Sequence, residues 1–190
     1  MFIQTEVTPN PASLKFLPGR MVMPSGTAHF VTVHQAKNSP LAKALFALDG
    51  VDGVFLGADF ITVTKQEGVD WSHLSPFVLG TIMDHFMKGF PIVDETGASN
   101  ESEATLPAED FDPLDARIVT QIKELIETRV RPAVAQDGGD IVFHGFRAGI
   151  VTLHMQGSCA GCPSSTATLK MGIENMLKHY VPEVTSVVSL

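Results

Sequence analysis

Cys159 and Cys162 are the only thiols in this 190-residue chain, and both lie in one loop, GSCAGCPSS at 157–165. A Cys-x-x-Cys pair can bind metal, exchange disulfides or simply pack. Gly157 and Gly161 leave the loop backbone uncluttered, so amide N–H groups can approach anionic sulfur. Pro163 suits a first helical position, which turns the positive end of a helix dipole toward both thiols. That placement predicts lowered thiol pKa values and thiolates ready for a metal or a disulfide. A glycine-rich loop is a poor setting for cysteines that only fill a core.

The number of ligands narrows the chemistry further. Iron–sulfur clusters and structural zinc sites want four protein ligands, and one chain supplies two thiolates. His154, His144 or a carboxylate would have to complete the set within one chain. His154 alternates with Val151, Leu153 and Met155 and so faces away from that apolar row, as a surface histidine does. The economical solution is two chains, each giving Cys159 and Cys162 to one shared centre on a twofold axis. Such a centre is exposed and easily dismantled, which suits a carrier better than an electron-transfer core. A dithiol oxidoreductase and a zinc-bridged structural dimer use the same two residues and stay open here. Against the redox reading, both inter-cysteine residues are small, and a hairpin rather than a βαβ unit precedes them.

These residues need elements to hold them. Asp112 and Pro113 open a helix whose stripe is Val119, Ile122, Ile126 and Val130. Asp137-Gly138-Gly139-Asp140 reads as a turn, and Ile141–Phe146 and Ile150–Met155 as strands around Ala148-Gly149. A helix with Leu169, Ile173, Met176 and Leu177 follows the cysteines, and Val184–Leu190 is a closing strand. The first half is also mixed. Strands are expected at Phe2–Val7 and Ala28–His34, and a short helix through Leu41, Ala44, Leu45 and Leu48. A hairpin at Val54–Thr64 precedes a helix that Ser75-Pro76 opens and Gly89 and Pro91 end.

Charge divides the chain. Residues 1–93 hold six Lys/Arg against seven Asp/Glu, and residues 113–190 hold seven of each. Residues 94–112 carry seven acids and no base, so nearly all of the net charge of −8 sits there. Self-repelling composition of this kind predicts an acidic flexible linker. The expected class is α+β: two small mixed domains, 1–93 and 113–190, joined by that linker.

The same composition excludes several functions. An acidic chain lacks the basic footprint of a nucleic-acid binder, and no apolar run is long enough for a membrane helix. Neither a G-x-S-x-G elbow nor a phosphate-binding G-x-x-x-x-G-K-[ST] loop is present, so a carrier rather than an enzyme is expected. With two cysteines, a multi-bridge secreted scaffold is excluded and a reducing compartment favoured. The opening residues carry no leader pattern, which predicts a bacterial cytoplasm, with the mitochondrial matrix second.

DGGDI at 137–141 and GSCAGCPSS at 157–165 resemble the C-terminal domain of the NifU-like (Nfu-type) iron–sulfur cluster scaffold and carrier proteins. TEVTPNPASLKFLPG at 5–19 and SPLAKALFALDGVDGVFLGADFITVTK at 39–65 resemble the N-terminal domain joined to it. The resemblance implies a 4Fe–4S cluster held between two protomers by Cys159 and Cys162. The same four thiolates would serve a 2Fe–2S cluster. It further implies an upstream assembly scaffold as donor, apo iron–sulfur proteins as recipients, a homodimer on cluster binding, and partner recognition by the ligand-free N-terminal domain.

Overall fold

The computed structural model describes residues 2–94, 110–161 and 163–190. The chain forms two compact units, Met1–Ala104 and Thr105–Leu190, each with its own apolar core. Each mixes helices with a sheet, antiparallel throughout in the first unit and mixed in the second, so the α+β class holds.

The first unit is a five-stranded antiparallel sheet in the order β1-β2-β5-β4-β3. Its strands are β1 Gln4–Val7, β2 Ser13–Leu17, β3 Ala28–Phe30, β4 Val51–Leu56 and β5 Ile61–Lys65. Two helices cover it, α1 Pro40–Phe46 and α2 Trp71–Lys88, and Phe16, Leu41, Leu45, Leu56, Ile61 and Ile82 are fully buried between the layers. Strand β2 is absent from the sequence reading, which stopped at Pro9 and Pro11. The expected strand Ala28–His34 ends at Phe30, because the Val31 N–H donates to Gln35 Oε1 (2.8 Å) instead of joining the ladder. Helix α2 starts one turn before Ser75-Pro76. The Asp70 carboxylate caps it by accepting from Ser72 N (2.8 Å), which leaves Pro76 inside the helix. Gly89, at φ 67°, ends α2 as expected.

The second unit is a four-stranded sheet in the order β6-β7-β8-β9. Its strands are β6 Asp110–Phe111, β7 Gly139–Arg147, β8 Ile150–Gly157 and β9 Ser186–Ser189. Strands β7 and β8 form an antiparallel hairpin, with Ala148 (φ 50°) and Gly149 (φ 81°) in the left-handed region at its tip. Strands β6 and β9 add parallel edges. Of the expected linker 94–112, residues 95–109 lie outside the described residues. At its ends, the Asp94 N–H donates to Asn38 O (2.7 Å), Asp110–Phe111 pairs with β7, and Asp112 caps a short 3-10 turn through Leu114 N (2.9 Å).

Helices α3 Ala116–Leu125 and α4 Arg131–Gln136 are joined by one wide turn, Ile126–Val130, with five-residue π hydrogen bonding. Pro132 has no N–H to give, and its ring crowds the carbonyl of Thr128, four residues back. Opening the turn relieves both problems. Val119, Ile122, Ile126 and Val130 still reach the core, as their spacing predicts. Helix α5, Pro163–Tyr180, begins at Pro163 and buries Ile173 and Leu177 against Ile141, Val151, Leu153 and Val187.

Candidate metal centre

The loop that carries the cysteines leaves β8 at Gly157 and enters α5 at Pro163. Three glycines shape its surroundings with positive φ: Gly138 (82°), Gly157 (63°) and Gly161 (81°). Asp137 and Gly138 form a turn, but Gly139 and Asp140 already belong to β7, paired with Gly157 and Gln156. The expected four-residue turn is therefore half strand, because those two pairings continue the hairpin to its base.

That register sets Gly139 against the first cysteine. A β-carbon at position 139 would lie 2.5 Å from Cys159 Sγ, 2.8 Å from Gln156 O and 3.0 Å from Cys159 N. Only hydrogen fits. Ser158 ties the loop to the turn: its N–H donates to Gly138 O (3.2 Å) and its hydroxyl to Asp137 O (2.5 Å). On the far side, the Thr166 hydroxyl in the first turns of α5 donates to Cys159 O (3.0 Å).

Cys159 is consequently stowed rather than presented. It is 5% exposed and belongs to the core cluster of the second unit. Burial pushes its thiol up to about 11, a hydrogen bond with Ser158 opposes this, and the carboxylates of Asp137 and Asp140 add to the rise. This corrects the expectation of a lowered pKa from the helix dipole. Desolvation of a nearly inaccessible sulfur outweighs a dipole effect that is worth about 0.3–1 kcal/mol near a helix end. Cys162 lies outside the described residues.

The histidines weighed as additional ligands sit elsewhere. His144 and His154 lie on β7 and β8, and His154 shares its strand face with Thr152 and Gln156, opposite the buried Leu153 and Met155. Burial first, and the neighbouring His144 second, hold the His154 imidazole below its ordinary value. Among the described residues, no three of His, Cys, Asp and Glu gather as a metal-ligand group. The charged group that sequence reasoning missed is a pair, Arg131 and Asp140, at the base of the same hairpin. Their types and nine-residue spacing cross a helix end and a turn, so no local pattern signals them.

The first unit contains no cysteine. Its exposed apolar side chains include Phe77 and Met87 on α2, with Phe90 just beyond it.

Comparison with known proteins gives two family matches: residues 3–89 fit the family described as "Scaffold protein Nfu/NifU N terminal", and residues 122–188 fit the "NifU-like domain". The Drosophila sechellia protein named "NFU1 iron-sulfur cluster scaffold homolog, mitochondrial" is 53% identical over 188 residues, which cover 98% of this chain and 64% of that protein. The human protein of the same name is 52% identical over 188 residues, covering 98% of this chain and 71% of that protein. "NifU-like protein 4, mitochondrial" of Arabidopsis thaliana is 51% identical over 189 residues, covering 98% and 65%. The chain thus spans about two thirds of the length of these relatives.

Proposed function

We propose that this chain, which belongs to the Nfu/NifU family of iron–sulfur cluster scaffold proteins, carries a 4Fe–4S cluster as cargo between two copies of itself. The observation that supports this reading is the placement of its only two cysteines in one loop between β8 and α5. One chain offers two thiolates and a cluster wants four, so a second chain is the natural source of the other two. The cluster is passed on by ligand exchange. Thiolates of a recipient apo iron–sulfur protein displace Cys159 and Cys162 in turn, and loss of the bridging ligands lets the two copies part. An upstream assembly scaffold is the donor.

The divisions at 1–93, 94–112 and 113–190 then acquire roles. The first unit recognises partners, the acidic segment tethers, and the last unit holds the cluster. A tether raises the effective concentration of cargo near a recipient already gripped. The relatives are named mitochondrial, which supports a mitochondrial compartment over the bacterial cytoplasm, and the matrix is the compartment proposed within it.

Anaerobic reconstitution with iron and sulfide tests the carrier reading. About two irons and two sulfides per chain, in a species of twice the chain mass, are expected for a shared four-iron cluster. Zinc bound without sulfide, or a reversible Cys159–Cys162 disulfide in place of iron uptake, would overturn it.

A further inference from the structure

Cys159 is backed by Gly139, and Gly139 is itself held. Its neighbour Asp140 is only 3% exposed. The Asp140 carboxylate accepts from Arg131 Nε at Oδ1 (2.8 Å) and from Arg131 Nη2 at Oδ2 (2.7 Å), and Oδ1 also accepts from Ile141 N (2.8 Å). This is a two-pronged fork on a buried carboxylate, the geometry that distinguishes arginine from lysine. The remaining guanidinium nitrogen, Nη1, donates to the Glu127 carboxylate at 2.8 and 3.0 Å, on the solvent side. Taking one partner from a buried pair leaves the other charge uncompensated, whereas the exposed Glu127 arm is worth little.

The placement of this pair matters more than its strength. It grips the first turn of α4 to the second residue of β7, and the first residue of β7 is the surface on which Cys159 Sγ rests. Neither Arg131 nor Asp140 is required as a ligand by the cysteine chemistry. We infer that Arg131 and Asp140 are positioning residues that hold Gly139 against Cys159 and so set how readily the loop releases this cysteine from its stowed position. The functional meaning rests on Cys159 being a cluster ligand; the stowing itself does not.

The test uses the full-length apo protein and iodoacetamide, with labelling at Cys159 and Cys162 measured separately by peptide mass spectrometry. Asp140→Asn is expected to raise the Cys159 rate relative to Cys162 by roughly tenfold or more, the scale set by a broken buried pair. Arg131→Lys keeps the charge but loses the fork, and a smaller rise of the same sign is expected. Glu127→Gln should stay within about twofold of the parent. If Asp140→Asn does not fold, Arg131→Lys carries the test. An unchanged Cys159:Cys162 ratio in Arg131→Lys, or an equal rise at both cysteines from general loosening, would overturn the inference. Failure of the parent protein to take up cluster would remove the carrier reading and leave these ratios untouched.

Discussion

Gly139 and Cys159 are twenty residues apart in the chain and in van der Waals contact in the fold, with no space between them for a methyl group. The β7–β8 register produces this contact, pairing Gly139 with Gly157 at the base of the hairpin. Gly139→Ala is therefore expected to destabilise the second unit by about 1–3 kcal/mol, as overpacking does. It should also expose Cys159 to alkylation. Urea unfolding followed at Tyr180, the only tyrosine and a member of this unit, measures the first effect. A midpoint equal to that of the parent would show that the strand yields freely.

Gly172 provides the contrast. It lies in the exposed middle of α5, and a β-carbon there meets nothing within 4 Å. Gly172→Ala should stabilise the second unit by about 0.5–1 kcal/mol, because alanine costs less to order in a helix. The same Tyr180 transition should move to higher urea; a shift to lower urea would place an unseen contact on that face.

Replacing either cysteine should empty the centre. Cys159→Ser and Cys162→Ser are each expected to lose nearly all reconstituted iron and sulfide, since serine replaces half of the thiolate ligands in a bridged pair. Iron and sulfide analysis after gel filtration is the measurement. A single variant that loads fully would refute bridging by all four thiolates.

His85 predicts a pH response in the first unit. Burial holds its imidazole below the ordinary value of 6.5 against hydrogen bonds to the backbone at Pro91 and Phe90, with Nε2 3.1 Å from Pro91 O. The unfolded chain then binds the proton more readily than the folded one. Stability is complete above about pH 6.5 and declines as pH falls from there toward the lower folded-state pKa. Trp71, the only tryptophan, lies in this unit and donates from Nε1 to Pro11 O (3.2 Å), so its fluorescence reports this unfolding alone. The slope between pH 7 and pH 5 should flatten in His85→Gln.

Fragments separate cargo from tether. A fragment beginning at 113 keeps both cysteines and should bind cluster as the full chain does. A fragment beginning at 110 also keeps β6, whose Phe111 packs on the core beside β7. If that packing contributes about 1 kcal/mol, the longer fragment should melt roughly 4–8 °C higher. Calorimetry on the pair checks this, and equal melting temperatures would reduce β6 to an ornament of the sheet edge.

Most of the architecture was legible wherever a signal is local. The apolar stripe of Val119, Ile122, Ile126 and Val130, the Ala148-Gly149 hairpin tip and the Pro163 helix start each depend on neighbours a few residues away. The cysteine loop is legible for the same reason, since both of the chain's cysteines fall within four residues of each other. What escaped notice depends on distant partners. The burial of Cys159 requires Gly139 to arrive from across a hairpin, and a helix dipole says nothing of the desolvation that this contact imposes on the thiol. Strand β2 needs β5 beside it, and β6 needs a parallel partner 35 residues downstream, from Asp110 to Gly145. Helix α2 begins a turn before the Ser75-Pro76 signal because the Asp70 cap sets its start and leaves Pro76 inside the helix.

The wide turn at Ile126–Val130 has a consequence for how this sequence can vary. A π turn holds one residue more than the regular helix on either side of it. Deleting one residue there would restore an ordinary α-helix without breaking any apolar periodicity upstream. It would leave Arg131 close to the bearing on which it meets Asp140, because the wide turn is what takes up the additional residue. Deleting a residue within α3, where the helix is regular, would instead rotate everything downstream by about 100° and carry Arg131 away from Asp140. The wide turn is thus the one stretch of this helix pair where a change in length can be taken up, and Pro132, which has no N–H for a regular helix, is what opposes its loss.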